Sequence, residues 1–343
     1  MLERVSSTDS ATMEASPAPD SFPRGYYHDH LEGLPKRLRE AVPHDELREL
    51  HARSGWRHLL IAGRQAALYL VCLWGMITYD QPWIWIPLAA LQGVVILSFI
   101  ILLHEVVHDS VFREQRSWPL LQRFLGLCYA LPSAIAASQF TRWHLDHHRE
   151  LGSTTEDPKR AYLSPKRNAR WYKALYMTAA LFVIYAKAAA QAAKGYEPAL
   201  RRTITLERLT NIALHAALAA AIWHWFGGEA VLRAYVVPLF VFFPPAFMLN
   251  RLGQHYWVDP SDPAKWSTRV DGSPLVNFLF LHSNHHIEHH YFPRVPLYRL
   301  RRLNRDLRPF WKEIGHANRS YPALVWGWFA RNGAPHTDWT DLA

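Results

Sequence analysis

Two cysteines in 343 residues, Cys72 and Cys128, both inside apolar runs and without CxxC spacing, leave little thiol chemistry to build on. A disulfide framework and thiolate metal binding are set aside on that count. There is no GxGxxG fingerprint, so no dinucleotide site is expected. Acidic residues are in deficit: 29 Asp and Glu against 38 Lys and Arg give a formal net charge of +9. The first twenty or so residues are rich in Ser, Ala, Thr and Pro, and Glu3, Asp9 and Glu14 interrupt them. With no apolar h-region behind them they exclude a secretory signal and predict disorder. Residues 28–55 hold charged, weakly amphipathic helical pieces, with Pro43 and Asp45 at a helix start, and predict a solvated or membrane-surface segment.

Long apolar runs are what the chain has instead. A transmembrane helix needs about 20 mainly apolar residues, and 83–103, "WIWIPLAALQGVVILSFIILL", supplies them without a charge. Residues 59–78 nearly match, with Arg64 placed to snorkel, and a tight connection at Pro82 and Trp83 makes the two a hairpin. Residues 209–226 and 230–249, joined by "GGEA", predict a second hairpin whose later helix is bent by Pro238, Pro244 and Pro245. Segments 118–138 and 174–193 are apolar but interrupted, and read as re-entrant or interfacial helices. The turns at 79–82 and 227–230 lack Lys and Arg, whereas the flanking blocks are full of them. The positive-inside rule then places both termini and the central loop in the cytoplasm. The tail at 321–329, "YPALVWGWF", fits an interfacial helix.

The other excess is histidine, twenty residues that cluster. His104 and His108 lie in "HEVVH" at the end of the second run, and His144, His147 and His148 in "HLDHH". His255 follows the last run, and "HSNHHIEHH" carries His282, His285, His286, His289 and His290. On a helix, residues three and four apart share a face, so each cluster aims two or three imidazoles one way. Every cluster falls on the same predicted side of the membrane, at similar depth. Eight to ten imidazoles exceed one tetrahedral zinc and suit two ions, although imidazole alone does not choose among Fe, Zn, Cu and Ni. HExxH alone would also suit a zinc peptidase, with Glu105 as base. That reading leaves at least seven histidines idle, and its third ligand would have to come from "VDG" at 270–272, in a charged loop. The remaining histidines, such as His58, His215 and His316, are taken as core or surface residues.

The order HEVVH, HLDHH, HHIEHHYFPRVP, each after a helical hairpin, resembles the three histidine boxes of the integral-membrane fatty acid desaturase and hydroxylase superfamily. The likeness runs from about residue 60 to about residue 312 and includes "HDSVF", "LGSTTEDP" and "FPRVP". It implies an all-α integral membrane protein: four transmembrane helices in two hairpins, interfacial helices and a cytoplasmic His-rich cap. Residues 1–55 would be a disordered N-terminus and cytoplasmic helical segment, and 56–343 the membrane domain. The implied cofactor is a pair of non-haem iron ions on His104, His108, His144, His147, His148, His255, His286, His289 and His290. His282 and His285 exceed the minimum pattern, and Asn250 or Asn284 is a weak candidate for holding a metal-bound water. Glu105, Asp109, Asp146 and Glu288 are placed to orient imidazoles through their free N–H groups. Trp143, Tyr256 and Trp257 are candidates for the mouth of a substrate slot.

The implied reaction uses O2 to oxidise a lipid-like substrate, first of all by desaturating a fatty acyl chain. The alternative is a hydroxylase or ketolase acting on an alkane, sphingoid base or carotenoid ring. Lacking an HPGG motif, an Fe–S cysteine cluster and a nucleotide site, the chain would draw electrons from ferredoxin, rubredoxin or cytochrome b5 with its reductase. The basic tract "RVPLYRLRRLNRDLRPFWKE" would bind that donor or anionic headgroups. No nucleic-acid partner is expected. The setting would be a bacterial inner membrane or the endoplasmic reticulum, with the site facing the cytoplasm.

Overall fold

The structure is a computed structural model that describes residues 23–112, 119–259 and 261–333. The predicted N-terminal disorder and His336 lie outside them. Among the described residues there are helices and connections but no strand. Three short helices come first: α1 (Tyr26–Asp29), α2 (Leu34–Ala41) and α3 (His44–Leu50), the last entered from Pro43 as expected. Each buries one or more apolar residues and leaves most of its charged ones exposed. Tyr27, Leu31, Leu34, Leu38, Val42 and Leu50 are all buried in the main core, where they meet Phe310 and Trp311 of the C-terminal part. The spacing of these residues gives one continuous apolar stripe, and the stripe has a partner that the segment itself does not reveal.

Helix α4 (Gly55–Thr78) starts at Ser54, whose hydroxyl accepts from the Arg57 amide, and α5 (Pro82–Val107) follows after three residues. Much of α5 is buried, and it forms the hub of the molecule. At Gly93 a Cβ would stand 2.6 Å from the Phe242 backbone, so only glycine permits that approach. Next come α6 (Pro119–Ala130) and α7 (Ala137–Glu150), apolar together but bent by 97° across the break between them. Helices α8 (Arg170–Leu175) and α9 (Ala180–Ala192) are too short to cross a bilayer.

The stretch Pro198–His255 is 58 residues long, far beyond one crossing of about 30 Å. Its first helix, α10 (Pro198–Val231), is broken at Gly227, which has φ 84° and ψ 173°. The chain doubles back there, and His215 meets the Tyr235 hydroxyl at 3.0 Å. The return leg passes through wide π-type turns at Leu232–Val236 and Pro238–Phe242 before α11 (Phe243–His255). Prolines withhold backbone donors, and wider turns absorb the missing bonds. Counting by length and apolarity among the described residues, three helical stretches suit a membrane crossing, or four if the bent α6–α7 pair is one span. Trp74 and Trp83 on the first hairpin, and Trp223 and Trp225 near Gly227, are all well exposed. They sit close to the two turns without Lys or Arg, where membrane proteins place amphipathic rings.

Beyond α11 lie α12 (Pro274–Leu279), α13 (His286–Tyr291), α14 (Leu297–Asp306), α15 (Arg308–Glu313) and α16 (Tyr321–Val325). The last, expected at an interface, also plugs a second core: Leu324 and Trp328 are fully buried against Met248, Leu252 and Tyr256. Pro322, Ala323 and Trp326 of that stretch stay exposed, Trp326 at 61%.

Candidate metal centre

The histidines are delivered by the ends of four helices. α5 carries His104 and is capped by His108; α7 carries His144, His147 and His148; α11 ends on His255; and α13 consists largely of box three. Two groups result. His104, His108, His144, His148 and His289 form one; His147, His255, His286 and His290 form the other. Within each group one ligand atom per residue lies within 4.8 Å of all the others. The groups abut, because the His148 ring stacks on that of His290 at 4.2 Å. All nine histidines of the expected ligand set fall in these two groups. His282 and His285 fall in neither.

Nitrogen chemistry tests whether a cation fits. His255 Nδ1 is 3.1 Å from the Trp266 carbonyl oxygen, which can only accept, so Nδ1 carries the proton and Nε2 a lone pair. His147 Nδ1 is held in the same way, 2.8 Å from the Asp157 carboxylate. Yet the two Nε2 atoms face each other at 2.9 Å. The Nε2 atoms of His286 and His290 stand 3.0 and 3.2 Å from that of His255, and 3.1 Å from each other. Converging lone pairs repel unless a positive charge lies among them. Two nitrogens each about 2.1 Å from one ion, at right angles, are about 3 Å apart. In the other group His108 Nε2 and His144 Nε2 approach to 2.5 Å, and His289 Nε2 and His148 Nε2 to 3.0 Å. The donor sets therefore suit one metal ion each.

Electrostatics favours the same form. Burial, then neighbouring histidines and the Lys159 ammonium, hold His286, His289 and His290 well below the ordinary imidazole range. They are neutral and able to ligate. Beside them burial raises the Asp157 carboxyl and lowers the Lys159 ammonium, each partly offset by the other's charge. Lys159 Nζ also donates to Gln254 Oε1 at 3.3 Å.

The four box acids do not orient the ligands as expected. Glu105 accepts the Leu297 amide at 3.0 Å and so fixes the entry to α14. Asp146 is paired with Arg142 and Arg149. Glu288 accepts from Asn304 and stands 3.8 Å from His285 Nδ1, and among the described residues Asp109 bonds no histidine. The acceptors that do fix imidazoles are Asp157, within "LGSTTEDP", and the Trp266 carbonyl. Asn284 is turned away, donating to the Val270 carbonyl and to Asn277, while Asn250 accepts from Ser283. Trp143 and Tyr256 are buried, and Tyr256 packs edge-on against Trp328 at 5.3 Å. Phe140 lies flat against His144 at 5.7 Å, an apolar wall that the spacing of the boxes does not announce. His58 and His215 bond tyrosines in the helical body, and His316 bonds the Ser267 carbonyl.

Comparison with known proteins places this geometry. The "Fatty acid desaturase" family model matches residues 80–322. A sphingolipid delta(4)-desaturase of Xenopus tropicalis is 23% identical over 250 residues, covering 69% of this chain and 68% of that protein. A rice (Oryza sativa subsp. japonica) delta(4)-desaturase-like protein is 27% identical over 299 residues, 84% of each chain. A Bos taurus sphingolipid delta(4)-desaturase/C4-monooxygenase is 22% identical over 254 residues, 71% of this chain and 72% of its own.

Proposed function

This chain belongs to the fatty acid desaturase family and is an oxidoreductase, and from that premise we propose that it is a membrane-embedded di-iron oxidase that desaturates a long-chain lipid. The carrying observation is the pair of all-imidazole pockets at the end of the most apolar helix, α5. His104, His108, His144, His148 and His289 would hold one iron, and His147, His255, His286 and His290 the other. When bound, such a pair supplies O2 reduction and hydrogen-atom removal from an unactivated carbon. The balance is one O2, two electrons and two protons from outside, and two hydrogens from adjacent carbons, giving an alkene and two waters.

The chain's own residues supply placement. Asp157 and the Trp266 carbonyl hold His147 and His255 with Nε2 turned inward. Phe140 covers His144 on one side of the centre. Tyr27 of α1 meets His290 edge-on at 6.4 Å, and with Tyr291 and Phe292 it belongs to the buried apolar core, which limits water entry. We place the two long hairpins across the bilayer with the centre on the cytoplasmic side. The lipid chain would then reach the centre from the membrane.

The electrons would come from a separate ferredoxin, rubredoxin or cytochrome b5 with its reductase. The basic tract after box three is a weaker docking site for it than its charge suggests. Arg302 is already paired with Glu46 and Glu49 at 2.5 and 2.9 Å. Relatives named as sphingolipid delta(4)-desaturases favour a sphingoid chain over a simple acyl chain as substrate. The relative named also as a C4-monooxygenase supports hydroxylation as the second reading. Lipid profiling of cells expressing the chain, beside His289→Ala, tests both. A new alkene lost in the variant supports desaturation, a new alcohol the second reading, and an unchanged lipid profile defeats both.

A further inference from the structure

One group of aromatic rings runs from the exposed surface of α1 down to the loop that supports His255. Trp266 lies in the loop after α11, and that loop is anchored on both sides. The Tyr291 hydroxyl donates to the Ala264 carbonyl, and the Thr268 amide and Ser267 hydroxyl both donate to the Gln254 carbonyl. Beneath the indole is Gly152, at φ +92°, where a Cβ would stand 2.4 Å from the ring. The ring therefore sits in a cradle that only glycine leaves open.

Above the indole lie residues from α1, a helix outside the stretch matched to the family. Tyr26 stacks on Trp266 at 6.1 Å and 21°, and Tyr27 at 5.8 Å and 28°. His30 lies 5.8 Å from the same ring and stacks on Tyr26 at 4.1 Å. Tyr26 and His30 are exposed, whereas Tyr27 and Trp266 are buried. Two short links lead inward from Trp266. Its own carbonyl bonds His255 Nδ1, and Tyr27 meets His290 edge-on at 6.4 Å. Both end on the four-histidine group.

We propose that Tyr26, His30 and Trp266 form the electron-entry relay of this protein, carrying single electrons from a one-electron redox protein at the α1 surface to the four-histidine metal ion. The inference rests on the metal-bearing reading above. Tunnelling weakens steeply across gaps and far less along stacked rings and hydrogen bonds, so this path is favoured over a jump through packed aliphatic side chains. Each docking oxidises one donor molecule by one electron. Two dockings supply the pair that, with two protons and two substrate hydrogens, reduces O2 to two waters. If the stack served only to anchor α1, it would contribute stability and metal retention but would not set the rate of electron arrival.

The test attaches a ruthenium photosensitiser at Glu32→Cys, an exposed position in the cleft beside His30, in a Cys128→Ser background. Flash photolysis then reads electron arrival at the metal without donor or lipid, and metal per chain is measured on the same samples. Trp266→Leu should slow arrival per metal-loaded chain by an order of magnitude or more, and Trp266→Phe by less. In metal-free protein, flash oxidation should give a tryptophan radical that disappears in Trp266→Phe. Unchanged arrival in Trp266→Leu with full metal overturns the relay. If that variant loses metal, Tyr26→Ala at the exposed end decides: slowed arrival supports the relay and an unchanged rate refutes it. A protein that takes up flash electrons normally yet oxidises no lipid would sink the functional reading and leave the relay standing.

Discussion

Asp157 shows how much a single side chain outside the boxes can matter. Its carboxylate fixes the His147 tautomer at 2.8 Å, so Asp157→Asn should weaken metal retention about 10- to 100-fold. Chelator competition measures this, and retention equal to wild type would remove Asp157 from the account. Protonation gives a second expectation. Burial lowers His282 and His316 to about 4 and holds His286, His289 and His290 well below their usual range. Unfolded, each titrates near about 6.5. For these histidines the unfolded chain therefore binds more protons below that pH, so their contribution to stability falls as pH drops from about 6.5 toward 4. Melting of metal-free protein in detergent across that range checks the sign. The imidazoles themselves were legible, because three- and four-residue spacings on helices announce a shared face. Their supporting atoms were not. Glu105 and Asp146 sit in the right places along the chain, but Leu297 and two arginines claim them in space. A backbone carbonyl such as that of Trp266 leaves no mark in a sequence.

At the scale of elements, the crossing of α5 with the return leg of the second hairpin is the tightest constraint. Gly93→Leu would drive a side chain into the Phe242 backbone, and overpacking of this kind costs about 1–3 kcal/mol. A lowered melting temperature in detergent, with reduced metal retention because α5 carries His104, is the expected outcome. The long helices of both hairpins were readable from apolar length, since a crossing would need a fixed number of residues. The break at Gly227 was readable as a turn, and the three prolines as a disturbance that became π-type turns. What the terminal segments pack against was not legible, for one reason. The Leu34–Leu38 stripe and the Trp328 plug are short amphipathic pieces whose burial depends on distant surfaces, and no local pattern separates that from an interfacial helix.

For the whole molecule, the arrangement couples an apolar helical body to a histidine cap by letting four helices end at one place. Leu70, Val71, Ile212 and Trp225 leave an apolar exterior on the helical body, and α1 to α3 close the cap from the other end of the chain. The two metal groups hold five and four imidazoles, so the claim on which everything else depends is that this protein binds two ions. The most direct measurement is metal identity and stoichiometry of protein purified in detergent after iron-replete growth, beside His255→Ala and His108→Ala. The account predicts two irons per chain, with each variant losing the ion of its own group first. A single tightly held zinc, or iron retained in full by both variants, would contradict it.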